Sequence, residues 1–136
     1  MMWLPDTNVW IAYLNPRPSA VKQAMRAHPA GEIYLCDVVK AELLFGAYKS
    51  QRMEANLAVL EDLFQNFHSV PFDSASAREF GRVRAELHRA GKPIGPYDLQ
   101  IAAIALAHGF TLVTHNIDEF KRVRGLQYED WEGGVI

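Results

Sequence analysis

The chain has 136 residues, of which 49% are hydrophobic and 22% are charged, and its net charge is −2. These values are ordinary for one folded domain spanning residues 1–136, and they exclude a strongly basic nucleic-acid-binding chain, so any nucleic-acid contact would need local basic patches. The single cysteine, Cys36, excludes an intrachain disulfide and fits a reducing compartment, so we expect a cytoplasmic protein. The sequence has no apolar stretch long enough to cross a membrane and no N-terminal signal peptide, so we expect no membrane partner.

Short strands alternate with helices along the chain, which favours an α/β fold with a largely parallel sheet. The first half is predicted as strand 2–5, helix 7–14, helix 20–28, strand 33–36, helix 38–48 capped by Asp37, and helix 53–67. The second half is predicted as strand 69–72, helix 74–90, loop 91–95, helix 96–107, strand 110–114, a short helix at 118–122 and a weak edge strand at 126–130. Because residues 99–107 are apolar except for Gln100, this helix is expected at the centre of the fold.

Three acidic residues stand in apolar surroundings where a charge is costly. Asp6 follows the first predicted strand, Glu42 lies in the helix after the second strand, and Asp98 lies in the first turn of the buried helix. Each has a structural explanation when taken alone, as a helix cap, a good helix former or a residue favoured by the helix dipole. Sites in open α/β sheets form beyond the carboxyl ends of the strands. We therefore expect these acids to converge there.

A further polar group, formed by Asn116, Asp118 and Glu119, follows the strand that ends at Thr114. Carboxylates that share a small pocket raise one another's pKa until some of them protonate, unless a cation neutralises them. An all-oxygen set of ligands favours Mg²⁺ or Mn²⁺. Zinc is disfavoured, since neither Cys36 nor the five histidines show the spacing of a zinc site.

Two groups of basic residues are candidates for binding the phosphates of a nucleic acid. The first recurs at helical spacing on helix 74–90 and continues into the next loop: Arg78, Arg82, Arg89 and Lys92. The second follows the last acidic group: Lys121, Arg122 and Arg124. Each group is either a phosphate-binding surface or a solvated helix face, and a phosphate-binding role predicts binding that falls steeply with salt.

Four segments together resemble the PIN-domain ribonucleases, and most closely the VapC toxin branch of the bacterial VapBC toxin–antitoxin pairs. The segments are DTNVWIAYL, VVKAELLFGAYKS, RAELHRAGKPIGPYDLQIAAIALAHG and LVTHNIDEFKRVRGLQYEDW. The resemblance implies a PIN-like three-layer α/β fold with a central, mostly parallel sheet of four to five strands flanked by helices. It also implies a homodimeric, Mg²⁺- or Mn²⁺-dependent endoribonuclease toxin that is neutralised by a cognate VapB-type antitoxin.

The resemblance carries over to individual residues. Asp6, Glu42 and Asp98 match the acidic metal site of the family, whereas Asn116 stands where many relatives have Asp. This departure leaves open whether Asp118 supplies the missing charge, and whether one metal or two are held. In our hypothesis Asp6 and Asp98 bind metal directly, Glu42 binds metal or orients the attacking water, and Asn116 or Asp118 completes the site. The GPYD segment resembles that of members that cut initiator transfer RNA in the anticodon region.

Three alternatives differ from this interpretation. A haloacid dehalogenase-type phosphatase also has an Asp after its first strand, but its pattern needs a second Asp where this chain has Asn8. A receiver domain needs an acidic pair ahead of the acceptor Asp. A non-catalytic PIN-like binding module is disfavoured by the presence of Asp6, Glu42 and Asp98 together, but it is kept open by Asn116.

Overall fold

Parallel strands form the centre of the fold. The computed structural model describes residues 1–132. The strands in this range are β1 (Trp3–Pro5), β2 (Leu35–Cys36), β3 (Ser69–Val70), β4 (Thr111–Val113) and β5 (Tyr128–Glu129). One group pairs in the order β1-β4-β5, β2 pairs with β3, and a parallel bridge from Trp3 to Ile33 joins the two groups. The predicted domain 1–136 includes residues 133–136, which lie outside the described range.

Helices surround these strands. In chain order they are α1 (Thr7–Leu14), α2 (Ala20–Arg26), α3 (Asp37–Tyr48), α4 (Met53–Asn66), α5 (Ser74–Arg89), α6 (Pro96–His108) and α7 (Ile117–Phe120). The helix α6 contacts α5, α3 and β4, and α3 also packs against α4 and α1. The predicted α/β fold with a parallel sheet flanked by helices is therefore confirmed.

Local sequence explains where several helices begin and end. The side chains of Asp6, Ser19 and Asp73 accept hydrogen bonds from backbone N–H groups in the first turns of α1, α2 and α5. Such caps typically stabilise a helix by about 1 kcal/mol each. Pro96 occupies the first position of α6, and Gly109 ends this helix with a φ of 71°, which glycine adopts without steric cost.

Some predicted boundaries were wrong. Asp37 is the first residue of α3 rather than its cap, and its carboxylate accepts a hydrogen bond from the Ser69 hydroxyl at 2.7 Å. The strand predicted over residues 69–72 is limited to Ser69–Val70. Pro71 follows directly and has no N–H to donate to a neighbouring strand, which explains the early end.

The core lies between α6 and the sheet. Leu4 and Leu112 on the strands, Ile101 and Ile104 on α6, and Trp10 on α1 are fully buried. Burying each such side chain contributes roughly 1.5–3 kcal/mol, so this layer fixes α6 firmly on the sheet. None of the helices within residues 1–132 combines the length and the apolar composition needed to cross a membrane.

Candidate active site

The carboxyl ends of three parallel strands lie side by side. The Asp6 N–H, directly after β1, donates to the Val113 carbonyl at 2.9 Å. The Thr114 N–H, directly after β4, donates to the Glu129 carbonyl on β5 at 2.9 Å. Because all three strands run in the same direction, the residues that follow them line one edge of the sheet. This is the edge at which the sequence predicted the site.

Asp6 is a buried acid at this edge. Its side chain is only 6% exposed, and it accepts a hydrogen bond from the Val9 N–H at 3.1 Å. Burial raises the pKa of Asp6, the hydrogen bonds from Thr114 and Val9 oppose this rise, and the charges of Glu132 and Glu42 add to it. Asp6 therefore caps α1, and its burial at the same time disfavours the ionised form of its carboxyl group.

Asp98 and Glu119 form the second part of the site. Burial raises the pKa of Asp98 to about 7, and the charges of Glu119 and Asp6 and a hydrogen bond with Glu119 add to the rise. Two carboxyl groups hydrogen-bond to each other only when one of them carries a proton. The Glu119 Oε1 atom is buried and has no hydrogen-bond partner among the described residues. Asp98 and Glu119 therefore lie close together, and Glu119 Oε1 lacks a hydrogen-bond donor among the described residues.

Glu42 joins α3 to the same site. The Thr7 hydroxyl donates a hydrogen bond to Glu42 Oε1 at 2.5 Å, and Thr7 directly follows Asp6 in the chain. Glu42 also lies close enough to raise the pKa of both Asp6 and Asp98 electrostatically. The structure thus brings together Asp6, Glu42 and Asp98, as the sequence predicted.

In the group formed by Asn116, Asp118 and Glu119, the acid that lies in the site is not the predicted Asp118. Asp118 is 94% exposed, and its carboxylate pairs with Lys121 at 3.4 Å, so it points away from the other acids and its role as a metal ligand remains a prediction. Glu119 is the residue of this segment that faces Asp98. The helix α7 is a single turn with Phe120 fully buried, and this anchor directs Glu119 inwards and Asp118 outwards.

Asn116 lies at the start of α7 and is exposed. Its backbone N–H donates to the Thr114 hydroxyl at 3.0 Å, and its side chain makes no capping hydrogen bond. Because Thr114 also hydrogen-bonds to Asp6, Asn116 is connected to the site through Thr114. The catalytic role predicted for Asn116 remains a prediction.

The basic groups are partly compensated by nearby acids. Arg82 contacts Glu79 at 2.7 Å and Glu86 at 3.2 Å on the same helix, which reduces its availability for phosphate. The remaining members of the first group are exposed: Arg78, Arg89 and Lys92. In the second group, Lys121 pairs with Asp118, and Arg122 donates to the Pro93 carbonyl at 3.3 Å. An RNA-binding role for either group remains a prediction.

The site contains four acids, and the described part of the chain offers them no basic partner. Within residues 1–132 no Lys or Arg forms an ion pair with Asp6, Glu42, Asp98 or Glu119. This oxygen-only set is of the kind that Mg²⁺ and Mn²⁺ prefer. In the same range, however, no three Asp, Glu, His or Cys side chains stand in an arrangement that could hold a metal ion. The oxygen donors are of the kind that bind a hard divalent cation. Their side chains would have to move before three of them could hold one.

Comparison with known proteins identifies the family. The PIN-domain family model matches residues 3–126. The tRNA(fMet)-specific endonuclease VapC of Shigella flexneri is 39% identical over 131 residues, which cover 96% of this chain and 98% of the relative. Ribonuclease VapC2 of Haemophilus influenzae (strain ATCC 51907 / DSM 11121 / KW20 / Rd) is 36% identical with the same coverage.

Solved structures agree with these matches. VapBC from Salmonella typhimurium bound to DNA contains a chain that superposes with a TM-score of 0.90 at 34% identity, covering 96% of this chain and 98% of that one. VapBC2 from Rickettsia felis bound to a promoter fragment superposes with a TM-score of 0.87 at 32% identity, covering 97% and 100%. The family match excludes the alternative of a haloacid dehalogenase-type phosphatase. The chain therefore belongs to the PIN-domain family and, within it, to the VapC ribonucleases of VapBC toxin–antitoxin systems.

Proposed function

We propose that this VapC ribonuclease is an endoribonuclease toxin that hydrolyses RNA with Mg²⁺ or Mn²⁺ held by Asp6, Asp98 and Glu119. The observation that carries the proposal is the group of four acids, three of them on different helices and one at a strand end, without a basic partner among residues 1–132. Burial and mutual repulsion disfavour their ionised forms, as the raised pKa values of Asp6 and Asp98 express. A bound divalent cation removes this cost.

The residues of the site have separate roles in this proposal. When bound, the cation neutralises phosphoryl oxygens and makes water a better nucleophile. Glu42 is held in position by the Thr7 hydroxyl, and it orients the attacking water or contributes a further ligand oxygen. Asp98 must be ionised to act as a ligand, so cation binding releases the proton that its pKa of about 7 retains near neutral pH.

A change of side-chain position is part of the proposal. Asp98 and Glu119 are drawn together by their hydrogen bond, and the acids do not stand in a metal-holding arrangement in this state. We propose that both side chains exchange this contact for the cation. Glu119 Oε1 is buried and lacks a hydrogen-bond partner among residues 1–132, so its rotation breaks no described hydrogen bond of that atom.

Initiator transfer RNA is the proposed substrate. Two of the similar relatives, at 39% and 34% identity over 96% of this chain, are named tRNA(fMet)-specific endonucleases. The GPYD segment, which places Asp98 in the site, lies inside the matched region. An RNA substrate also supports a cytoplasmic location.

A VapB-type antitoxin is the proposed partner. Four large apolar side chains are 41% to 61% exposed on α1, α3 and α4: Ile11, Tyr48, Met53 and Val59. Ile11 and Val59 also line a groove of about 380 Å³ that reaches Glu42. A peptide with apolar side chains would bury this surface and end beside the acids, where a basic side chain would compete with the cation. We also propose a homodimer, which sedimentation of the purified toxin–antitoxin complex would test.

The experiment is cleavage of initiator and elongator methionine transfer RNA by the purified toxin in Mg²⁺, in Mn²⁺ and in EDTA, with both product ends mapped. Because water rather than the 2′-hydroxyl attacks, we expect 5′-phosphate and 3′-hydroxyl ends and no cleavage in EDTA. Cleavage in EDTA with 2′,3′-cyclic phosphate ends would refute the mechanism. Equal growth inhibition by wild type and Asp6→Asn would favour the non-catalytic binding module.

A further inference from the structure

We propose that the groove beside the acids is an RNA subsite, in which one nucleobase stacks on Tyr97 and a neighbouring phosphate contacts Lys49. The groove has a volume of about 570 Å³ and lies between α1 and α3, with Tyr97 of α6 at its edge. Its wall includes Thr7 and Glu42, the hydrogen-bonded pair of the site. The inference rests on the proposed nuclease function and assigns residues that recognise the strand next to the cleaved bond.

Tyr97 has the exposure and the position of a stacking residue. It is 58% exposed and directly precedes Asp98, and Pro96 before it fixes the start of α6. Within residues 1–132 its ring makes no contact with another aromatic ring, unlike Trp10, whose ring packs on those of Tyr13 and Phe67. A large exposed ring with no described ring partner is suited to an unstacked RNA base, because every base presents a π-face.

Lys49 provides the positive charge of the groove. Its Nζ atom lies 4.9 Å from the centre of the Phe45 ring, which is 66% exposed and lines the same groove. This contact holds the ammonium group in place without neutralising it. Among residues 1–132 Lys49 has no acidic partner, whereas Arg82 and Lys121 are both paired with carboxylates. Lys49 is therefore available for a phosphate.

The mixture of groups favours RNA over a peptide as the occupant. The groove combines the aromatic side chain of Tyr97, the ammonium group of Lys49 and Glu42, one of the four acids of the site. An apolar peptide would have to desolvate Lys49 without a counter-charge, which is costly. A single-stranded RNA offers a phosphate to Lys49 and a base to Tyr97, and the acids themselves require a phosphodiester bond nearby.

The first test measures steady-state cleavage of a short single-stranded RNA that contains the mapped cleavage site. We expect Tyr97→Ala and Tyr97→Leu to raise KM about tenfold or more, since they remove the stacking surface, and Tyr97→Phe to stay within about twofold. An abasic nucleotide at the stacked position should weaken wild type to the same extent and leave Tyr97→Ala unchanged. Tyr128→Ala is the matched control, because Tyr128 is also exposed but lies on β5 outside the groove.

The second test measures how RNA binding depends on salt. Lys49→Ala should reduce the slope of log affinity against log salt concentration by about one, because one phosphate contact is lost. Lys49→Arg should restore the slope. Arg26→Ala, at the exposed end of α2 outside the groove, should leave it unchanged.

The outcomes separate this inference from the proposed function. If wild type cleaves RNA but the Tyr97 variants keep its KM and remain sensitive to the abasic nucleotide, the subsite is overturned and the nuclease remains. If the Tyr97 and Lys49 variants only weaken antitoxin binding, the groove belongs to the protein partner and the inference is equally overturned. If wild type cleaves no RNA in any metal, both proposals fail. Melting temperatures equal to that of wild type would show that a changed KM does not reflect misfolding.

Discussion

Asp73 and Asp98 lie at the starts of two consecutive helices that pack against each other, and the structure shifts their pKa values in opposite directions. Asp73 caps α5: its carboxylate accepts from the Ser76 N–H at 2.9 Å and from the Ser76 hydroxyl at 2.7 Å, and these hydrogen bonds lower its pKa. Asp98 lies in the first turn of α6, where burial and the neighbouring Glu119 raise its pKa to about 7. The helix dipole favours a negative charge at both positions.

The difference separates a capping acid from the acid to which we assign a function. Asp73 has local donors for its charge, and His108 on α6 adds a contact at 3.2 Å. Asp98 faces other carboxyl groups instead of donors. The fold therefore disfavours the ionised state of Asp98. This arrangement can serve a function only if a cation or a proton neutralises the charge. The missing donors, rather than the position on the helix, distinguish the two residues.

The largest expected effect comes from exchanging each acid for its amide. Asp98→Asn should lower the rate of Mg²⁺-dependent RNA cleavage by about 10²–10³-fold, because it removes a charge that the proposed metal site requires. Asp73→Asn should stay within about twofold of wild type, because Asn is an equally good cap. Initial rates on end-labelled RNA test this prediction. Comparable losses of cleavage rate in both variants would show that the two acids do not differ in function.

A smaller effect is expected from the neighbouring acids of α7. Glu119→Gln should lower cleavage by about 10–100-fold and raise the Mg²⁺ concentration needed for half-maximal rate, since it alters a buried oxygen that we propose as a ligand. Asp118→Asn should change neither quantity by more than about twofold, because Asp118 is exposed and pairs with a surface lysine. Titration of the rate with Mg²⁺ distinguishes the variants, and the reverse ranking would restore Asp118 as the ligand.

The smallest expected effect concerns stability against pH. The pKa of Asp98 is raised in the folded state, so its contribution to stability is present below its unfolded value and lost as pH rises towards 7. The metal-free melting temperature should therefore fall by a few degrees (about 2–4 °C) between pH 5 and pH 8, and this slope should be smaller in Asp98→Asn. Asp73 has a lowered pKa, so its contribution is lost instead as pH falls below its unfolded value.

Melting curves recorded in EDTA across this pH range test the prediction. Saturating Mg²⁺ at pH 8 should raise the melting temperature of wild type, because the cation binds only the folded site. The increase should be smaller in Asp98→Asn. If wild type and Asp98→Asn have the same pH slope, Asp98 is not the group responsible.

Much of the site could be predicted because its acids interrupt apolar sequence at the ends of strands and starts of helices. Asp6 follows β1, Asp98 lies in the first turn of the largely buried helix α6, and Glu42 lies between apolar residues of α3. Parallel strand order then brings them to one edge. The same periodicity predicted the helices well, whereas the strands were predicted too long, since pairing partners are set by tertiary contacts.

The choice between Asp118 and Glu119 could not be predicted from periodicity. The helix α7 has only four residues, too few to define a face, and its orientation depends on how Phe120 packs in the core. A weak signal was present, because Lys121 lies three residues after Asp118 and offers it a surface partner. Similarly, Glu79 and Glu86 lie at helical spacing from Arg82, so the two ion pairs of Arg82 could be predicted from the sequence.

The pairing of β1 with β4 has a consequence for how the protein is made. Trp3–Pro5 has no pairing partner in β4 until Thr111–Val113 has been synthesised, and Glu119 emerges later still. Chains fold from the N-terminus during translation, so nascent protein carries Asp6 long before it has a complete set of acids. A ribosome making this nuclease is thus exposed to its activity only after nearly all of the matched domain has left the peptidyl-transferase centre.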